Sequence, residues 1–367
     1  MIPVNEPVLG ERELELVADC VRSGWVSSSG RYLDEFERRW AEYCGMKHGV
    51  AVSSGTAALD VAVSCLGLEP GDEVIMPSFT IISCAQAVTK HAGLPVLVDC
   101  DAETWCLDVD QVAARVTSRT RAIMAVHMYG HPADMDPLRD LADRRGLVLL
   151  EDAAQAHGAE YKGRSCGGLG DISCFSFYAN KIITTGEGGM LLTDSDAWAA
   201  HARAYRNLCF GEDRRFLHEA LGENYRMTNL QAALGVAQLD RVDQIVARKR
   251  SMAAAYSERL RECASLQLPT ERDWARSTFW MFGVVLEDGG RAAGEVAREL
   301  LARGVQTRPF FLGMHEQPAF RRMGLFAGET YAVTERLARQ GLYLPSGTAL
   351  TLDEVSAVCA AVREVLT

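Results

Sequence analysis

The feature that most constrains this chain is an alternation between residues 49 and 193. Short, nearly continuous apolar runs are separated there by stretches with helical spacing. The runs at 49–53, 73–77, 95–99, 122–128, 147–151, 172–177 and 190–192 are predicted strands. The segments 55–65, 81–92, 108–115 and 135–145 are predicted helices between them. A strand that is apolar all round needs cover on both faces. Crossover helices lying on either side of a largely parallel sheet provide it. The expectation is an α/β fold with one large, mainly parallel, seven-stranded sheet.

Two helices, 12–22 and 32–44, precede the first strand, and 229–263 reads as a long helical stretch, continuous or interrupted. Beyond it the pattern changes to a strand at 279–286 and helices at 291–303 and 352–366, a smaller α+β unit. With 367 residues the chain has room for two domains. The expected division is 1–245, including an N-terminal arm, and 246–367, with the boundary on the long helix. No internal repeat or low-complexity linker interrupts this plan.

Charge and composition narrow the function classes. The net charge of −11 opposes a non-specific nucleic-acid or anionic-membrane binder, but leaves room for a locally positive pocket. No apolar run approaches the ~20 residues that span a bilayer. The start lacks a basic segment followed by an apolar one, so no secretory signal is expected. The 11 cysteines form no CxxC pair, so no metal site is expected, and several sit in apolar runs as small hydrophobes. Reduced thiols in that number point to a reducing cytoplasm.

The chemistry is expected at the carboxyl ends of the strands, where α/β sheets hold ligands. Ser53-Ser54-Gly55-Thr56-Ala57-Ala58 follows a strand and opens a helix. It reads either as an anion site built from free N–H groups or as a plain N-cap. No GxGxxG fingerprint stands there, which argues against a nicotinamide cofactor. Leu149-Leu150-Glu151-Asp152 ends an apolar strand in carboxylates, and Asp152 is either the partner of a buried cation or a structural cap. Lys181 follows Phe175-Ser176-Phe177-Tyr178-Ala179-Asn180 and precedes a glycine-rich segment. It is either a solvated turn lysine or a desolvated, nucleophilic one. Asn224-Tyr225-Arg226-Met227-Thr228-Asn229 enters the long helix, with Thr228 as its cap. Asn224 and Arg226 there face an anion or simply the surface. Cup, carboxylate and lysine, in that order, suit pyridoxal phosphate.

The strings Ser54-Gly55-Thr56-Ala57-Ala58, Glu151-Asp152-Ala153-Ala154-Gln155-Ala156, Asn180-Lys181-Ile182-Ile183-Thr184-Thr185-Gly186-Glu187-Gly188-Gly189 and Asn224-Tyr225-Arg226-Met227-Thr228-Asn229 carry a resemblance. The chain resembles the DegT/DnrJ/EryC1/StrS nucleotide-sugar aminotransferases over nearly its whole length. The resemblance implies the pyridoxal phosphate fold type I, the aspartate aminotransferase-like architecture. It implies Lys181 as the amine that binds the cofactor and moves the proton, and Asp152 as the partner of the ring nitrogen. Gln155 is implied near the phenolic oxygen, and Gly55, Thr56 and Ser176 at the phosphate. Asn224 is implied to reach the phosphate of a neighbouring subunit, which makes a homodimer part of the site. Arg226, Arg308 and His315 are implied candidates for the nucleotide sugar. Ile81 stands where relatives stack a flat side chain on the cofactor ring. Related 3-dehydratases carry His where Lys181 stands, so the lysine implies transamination from glutamate to a keto group of a nucleotide-linked 6-deoxy sugar. Alternatives are another keto sugar, a cyclitol or an antibiotic intermediate, and, more remotely, a non-catalytic binder of the same cofactor.

Overall fold

The computed structural model describes all residues except 212, 213, 215, 288–290 and 367. The central sheet takes β1 (His48–Val52), β2 (Glu73–Pro77), β3 (Leu94–Val98), β4 (Thr120–Val126) and β5 (Val148–Asp152). Two short strands, β6 (Glu160–Tyr161) and β7 (Arg164–Ser165), lie outside it, and β8 (Ile172–Ser176) and β9 (Gly189–Thr193) complete it. The order is β1-β9-β8-β5-β4-β2-β3. Only β9 is reversed, running antiparallel to both β1 and β8. The other pairings are parallel. The sheet is therefore seven-stranded and mainly parallel, as the apolar alternation implies.

Strands β2, β8 and β9 are buried along their whole length, which explains their unbroken apolar runs. On one face, Phe36 and Trp40 of the helix Arg31–Cys44 meet Phe177 and Phe175, with ring centroids 4.9 and 5.0 Å apart. The helix Asn229–Leu239 packs on the same layer at Gly235, where a Cβ would stand 2.6 Å from the Phe36 ring.

The long helical stretch is two helices, Asn229–Leu239 and Val242–Leu260, broken at Arg241, whose φ of −132° is not helical. Thr228 caps the first, its hydroxyl accepting the Gln231 N–H at 3.2 Å. The strand expected at 279–286 begins only at Phe282, because Phe279 has a φ of +47°, incompatible with an extended chain. Helices Asp196–Tyr205 and Ala332–Gln340 add to those the sequence pattern predicts.

The C-terminal part adds β10 (Leu266–Gln267), β11 (Ala275–Arg276), β12 (Phe282–Leu286), β13 (Arg308–Pro309) and β14 (Gly341–Leu344). Four of these form an antiparallel sheet in the order β10-β12-β14-β13, while β11 pairs with β6. Helices Val242–Leu260, Ala293–Ala302 and Leu352–Leu366 bury a separate apolar core against it, with Tyr256, Phe282, Leu300 and Val358 at its centre. The N-terminal arm crosses to this part. Ile2 bridges Val305, and the Ser346 N–H donates to Val4 O at 2.8 Å. Among the described residues no helix is long and apolar enough to cross a membrane, and all 11 cysteines are free thiols.

Candidate active site

Because β1, β2, β5 and β8 point the same way, their carboxyl ends lie along one edge of the sheet. They surround a cavity of about 310 Å³. The helix entry after β1 contributes Ser54, Gly55 and Thr56, the turn after β2 contributes Ile81 and Ser83, and β5 contributes Asp152 and Gln155. Ser176, Tyr178 and Lys181 come from β8 and the turn beyond it. Trp280, Phe311 and Tyr343 from the C-terminal part close the remaining side.

Lys181 sits in a turn, its N–H donating to Tyr178 O at 2.9 Å. Its side chain is partly open to the cavity, yet its amine lies deep, 3.6 Å from the centroid of the Trp280 ring. Among the described residues no hydrogen bond or salt bridge reaches the amine. Desolvation pushes its pKa down to about 7, against the weaker pull of the Asp152 charge toward higher values. An amine so placed is substantially uncharged, hence nucleophilic, near neutral pH.

The two carboxylates that end β5 have opposite surroundings, because successive strand residues face opposite sides. Glu151 is fully buried and saturated by the N–H groups of Gly167 (2.7 Å), Leu169 (2.6 Å) and Gly170 (2.6 Å). His127 joins them at 2.9 Å. Since His127 Nδ1 accepts the Ala133 N–H at 3.0 Å, its Nε2 carries the hydrogen and donates to Glu151. Asp152 instead lines the cavity. Its Oδ1 accepts the Ala154 N–H and its Oδ2 the Cys84 thiol, each at 3.1 Å. These hold the carboxylate in place and leave lone pairs for a cation.

Gln155 is buried, and its Oε1 accepts the Tyr129 N–H at 2.8 Å. What it offers the cavity is therefore its pair of amide donors. Ser54 caps the helix Gly55–Ser64 by accepting the Ala57 N–H at 3.1 Å. The N–H groups of Gly55 and Thr56 precede the first helical partner, and among the described residues neither has another, so both can bind an anion. A Cβ on Gly55 would stand 2.6 Å from the Cβ of Ser176, so only glycine lets β8 and this helix entry form one cradle. The Thr56 and Ser83 hydroxyls pair at 2.8 Å beside it. N-cap and anion site are thus compatible readings of this segment. Amine, carboxylate, amide donors and anion cradle fit pyridoxal phosphate in their chemistry and in sharing one cavity.

The structure thus gathers Lys181, Asp152, Gln155, Gly55, Thr56, Ser176 and Ile81. It does not bring four other candidates into this cavity. Asn224 is exposed and bridges Asn207. Arg226 donates to Asn207 Oδ1 at 2.8 Å and lines a different cavity, of about 590 Å³, with Arg203 and Arg206. Arg308 is exposed on β13, opposite Tyr343 of β14. His315 is buried, with Nδ1 held by Ser78 at 2.8 Å and Nε2 by Glu335 at 3.2 Å, so neither nitrogen is available to a substrate. Sequence reasoning missed Trp280, Tyr343 and Phe311. The signal for Phe311 is the string Arg308-Pro309-Phe310-Phe311, which carries the aromatic pair beside the arginine.

Residues 7–363 match the model of the DegT/DnrJ/EryC1/StrS aminotransferase family. A GDP-perosamine synthase from Caulobacter vibrioides is 42% identical over 367 residues, covering 100% of this chain and 98% of that protein. The aminotransferase TlmJ from Streptoalloteichus hindustanus superposes with a TM-score of 0.93 at 33% identity, over 100% of this chain and 99% of its own. DesV from S. venezuelae, solved in complex with a ketimine intermediate, does so with a TM-score of 0.89 at 38% identity, over 96% and 93% of the two chains.

Proposed function

The chain belongs to the DegT/DnrJ/EryC1/StrS aminotransferase family, and from that premise we propose that it aminates GDP-4-keto-6-deoxymannose with glutamate as donor, giving GDP-perosamine. It is a pyridoxal phosphate-dependent aminotransferase of nucleotide sugars. The observation that carries the proposed roles is the low-pKa Lys181 amine sharing one cavity with the Asp152 carboxylate.

When bound, the cofactor supplies an electron sink conjugated to the carbon whose proton moves. Lys181 would hold its aldehyde carbon through the amine, and would then carry a proton between cofactor and substrate. General acid/base transfer of this kind contributes ~10²–10⁴ in rate. Asp152 would hold a proton on the ring nitrogen. Gln155 would donate to the phenolic oxygen, and Gly55, Thr56 and Ser176 would bind the phosphate. Ile81 would cover one ring face by apolar contact, without the ~0.5–1.5 kcal/mol that aromatic stacking adds. Arg226 and Arg308 are proposed for the diphosphate of the nucleotide sugar.

The expected result with purified enzyme is conversion of GDP-4-keto-6-deoxymannose and glutamate to an aminated GDP-sugar and 2-oxoglutarate, followed by mass spectrometry. Amination of dTDP-linked keto sugars with no turnover of the GDP sugar would contradict the substrate.

We further propose a homodimer in the cytoplasm, with Asn224 of each copy serving the site of the other. Its exposure, and its place outside the cavity of its own chain, favour this reading. One hydrogen bond to a charged group is worth ~1.5–3 kcal/mol. Asn224→Ala is therefore expected to weaken cofactor retention by at least ~10-fold in equilibrium dialysis. A monomeric variant with full activity would contradict the shared site. The free, mostly buried thiols favour a reducing compartment, and the acidic net charge disfavours nucleic-acid and anionic-membrane partners.

A further inference from the structure

One wall around the Lys181 amine, shared by the cofactor cavity and a small space behind it, is built by an arrangement that the roles above do not use. Trp280 presents its indole to that amine, 3.6 Å from ring centroid to Nζ. The indole is tethered, its Nε1–H donating at 2.7 Å to the carbonyl of Asn180, the residue before Lys181. The backbone of Trp280 is tethered as well. Its carbonyl accepts, at 2.6 Å, a hydrogen bond from Lys249 of the helix Val242–Leu260. The same amine donates to the carbonyl of Ser346, just after β14.

Lys249 is only 2% exposed, and among the described residues no carboxylate lies within salt-bridge distance of it. Burying an ammonium without a counter-ion is costly. The two carbonyls it holds belong to two different loops, 277–281 and 345–347, and Ser346 also accepts the Phe282 N–H at 2.9 Å on its hydroxyl. Desolvation pushes the Lys249 pKa down to about 7, but charged or neutral its amine has donors enough for both carbonyls and so ties the start of β12 to the end of β14. Lys249, Trp280, Asn180 and Lys181 line one small space of about 10 Å³, behind Lys181 and too small for a ligand.

We propose that Lys249 is a positioning residue for Lys181: it clamps the backbone that carries Trp280 and so fixes the indole that keeps water from the Lys181 amine. The proposal rests on the role given to Lys181 above, and its test is made without cofactor so that the two can fail separately. With Lys249 removed, the indole loosens and water reaches the amine, which then holds its proton more readily. The other titratable groups around Lys181 are Asp152 and Glu187 in the cofactor cavity, His157 beneath it, Glu6 in the rear space, and Tyr178 and Tyr343 at the mouth. None of them changes in the variants below.

The test uses the full chain stripped of cofactor, trace-acetylated with acetic anhydride over a range of pH. Labelling of the Lys181 peptide is read by mass spectrometry against exposed Lys47. The wild-type midpoint is expected near pH 7. In Lys249→Met it is expected to rise by about one pH unit. Trp280→Phe, which loses the Nε1–H tether, is expected to shift it in the same direction. The double variant should shift it no further than the larger single shift, because both changes act on one lever. If Lys249→Met does not fold, Trp280→Phe decides alone. A low wild-type midpoint that no folded variant moves overturns the proposal alone. A wild-type midpoint in the ordinary lysine range overturns the proposal together with the role of Lys181.

Discussion

Lys181→Ala is expected to lose at least ~10⁴-fold in kcat, because one substitution removes both the covalent anchor and the proton carrier. The loss should be chemical and not structural. The lysine lines an open cavity, and among the described residues its amine makes no hydrogen bond, so alanine breaks no network. The pH dependence of stability separates these explanations. With the amine held near 7, the unfolded chain binds a proton that the folded chain lacks between about pH 7 and the ordinary lysine range. The cost of burying the amine is therefore complete below about pH 7 and fades as pH rises toward ~10. Calorimetry of the cofactor-free variant should show a melting temperature at or above wild type below that pH, with the advantage gone at the alkaline end. A variant that melts well below wild type at every pH would mean that Lys181 is structural.

Asp152→Asn carries the second large effect. Asparagine keeps the shape but not the charge, so a protonated ring nitrogen loses its counter-ion in a site that is 1% exposed. Breaking a buried charge pair costs ~3–5 kcal/mol, which corresponds to ~10²–10⁴ in kcat. The amide should keep the Ala154 N–H on its oxygen and turn its NH₂ toward the Cys84 sulfur, so the fold should survive. The expected signature is a large fall in kcat, a visible band shifted in its pH dependence, and unchanged far-UV circular dichroism. Activity within a few fold of wild type would remove Asp152 from its assigned role.

Much of this architecture is legible in the sequence because its signals are local. The buried strands β2, β5 and β8 advertise themselves as apolar runs, and the strand-end motifs follow from them. Strand pairing is less local. Nothing in Gly189–Thr193 announces that β9 inserts, reversed, between β1 and β8. Apart from Phe311, which stands in a recognisable string, the aromatic wall is illegible for the same reason. Trp280, Phe311 and Tyr343 reach the cavity from three separate segments, brought together by β12, β13 and β14. Arg308 and His315 show the converse limit. A charged or titratable side chain in a recognisable string draws attention, yet tertiary packing exposes the first and saturates the second with Ser78 and Glu335. The adjacent Glu151 and Asp152 differ only by the alternation of a strand, and only the structure says which of them faces the cavity.

The most direct test of the central claim is chemical. The protein is incubated with pyridoxal phosphate, reduced with sodium borohydride, digested and mapped by mass spectrometry. The account predicts the reduced cofactor on the peptide bearing Lys181, and none on any peptide of Lys181→Ala. Stable attachment at another lysine, or no attachment in the wild-type protein, would contradict it.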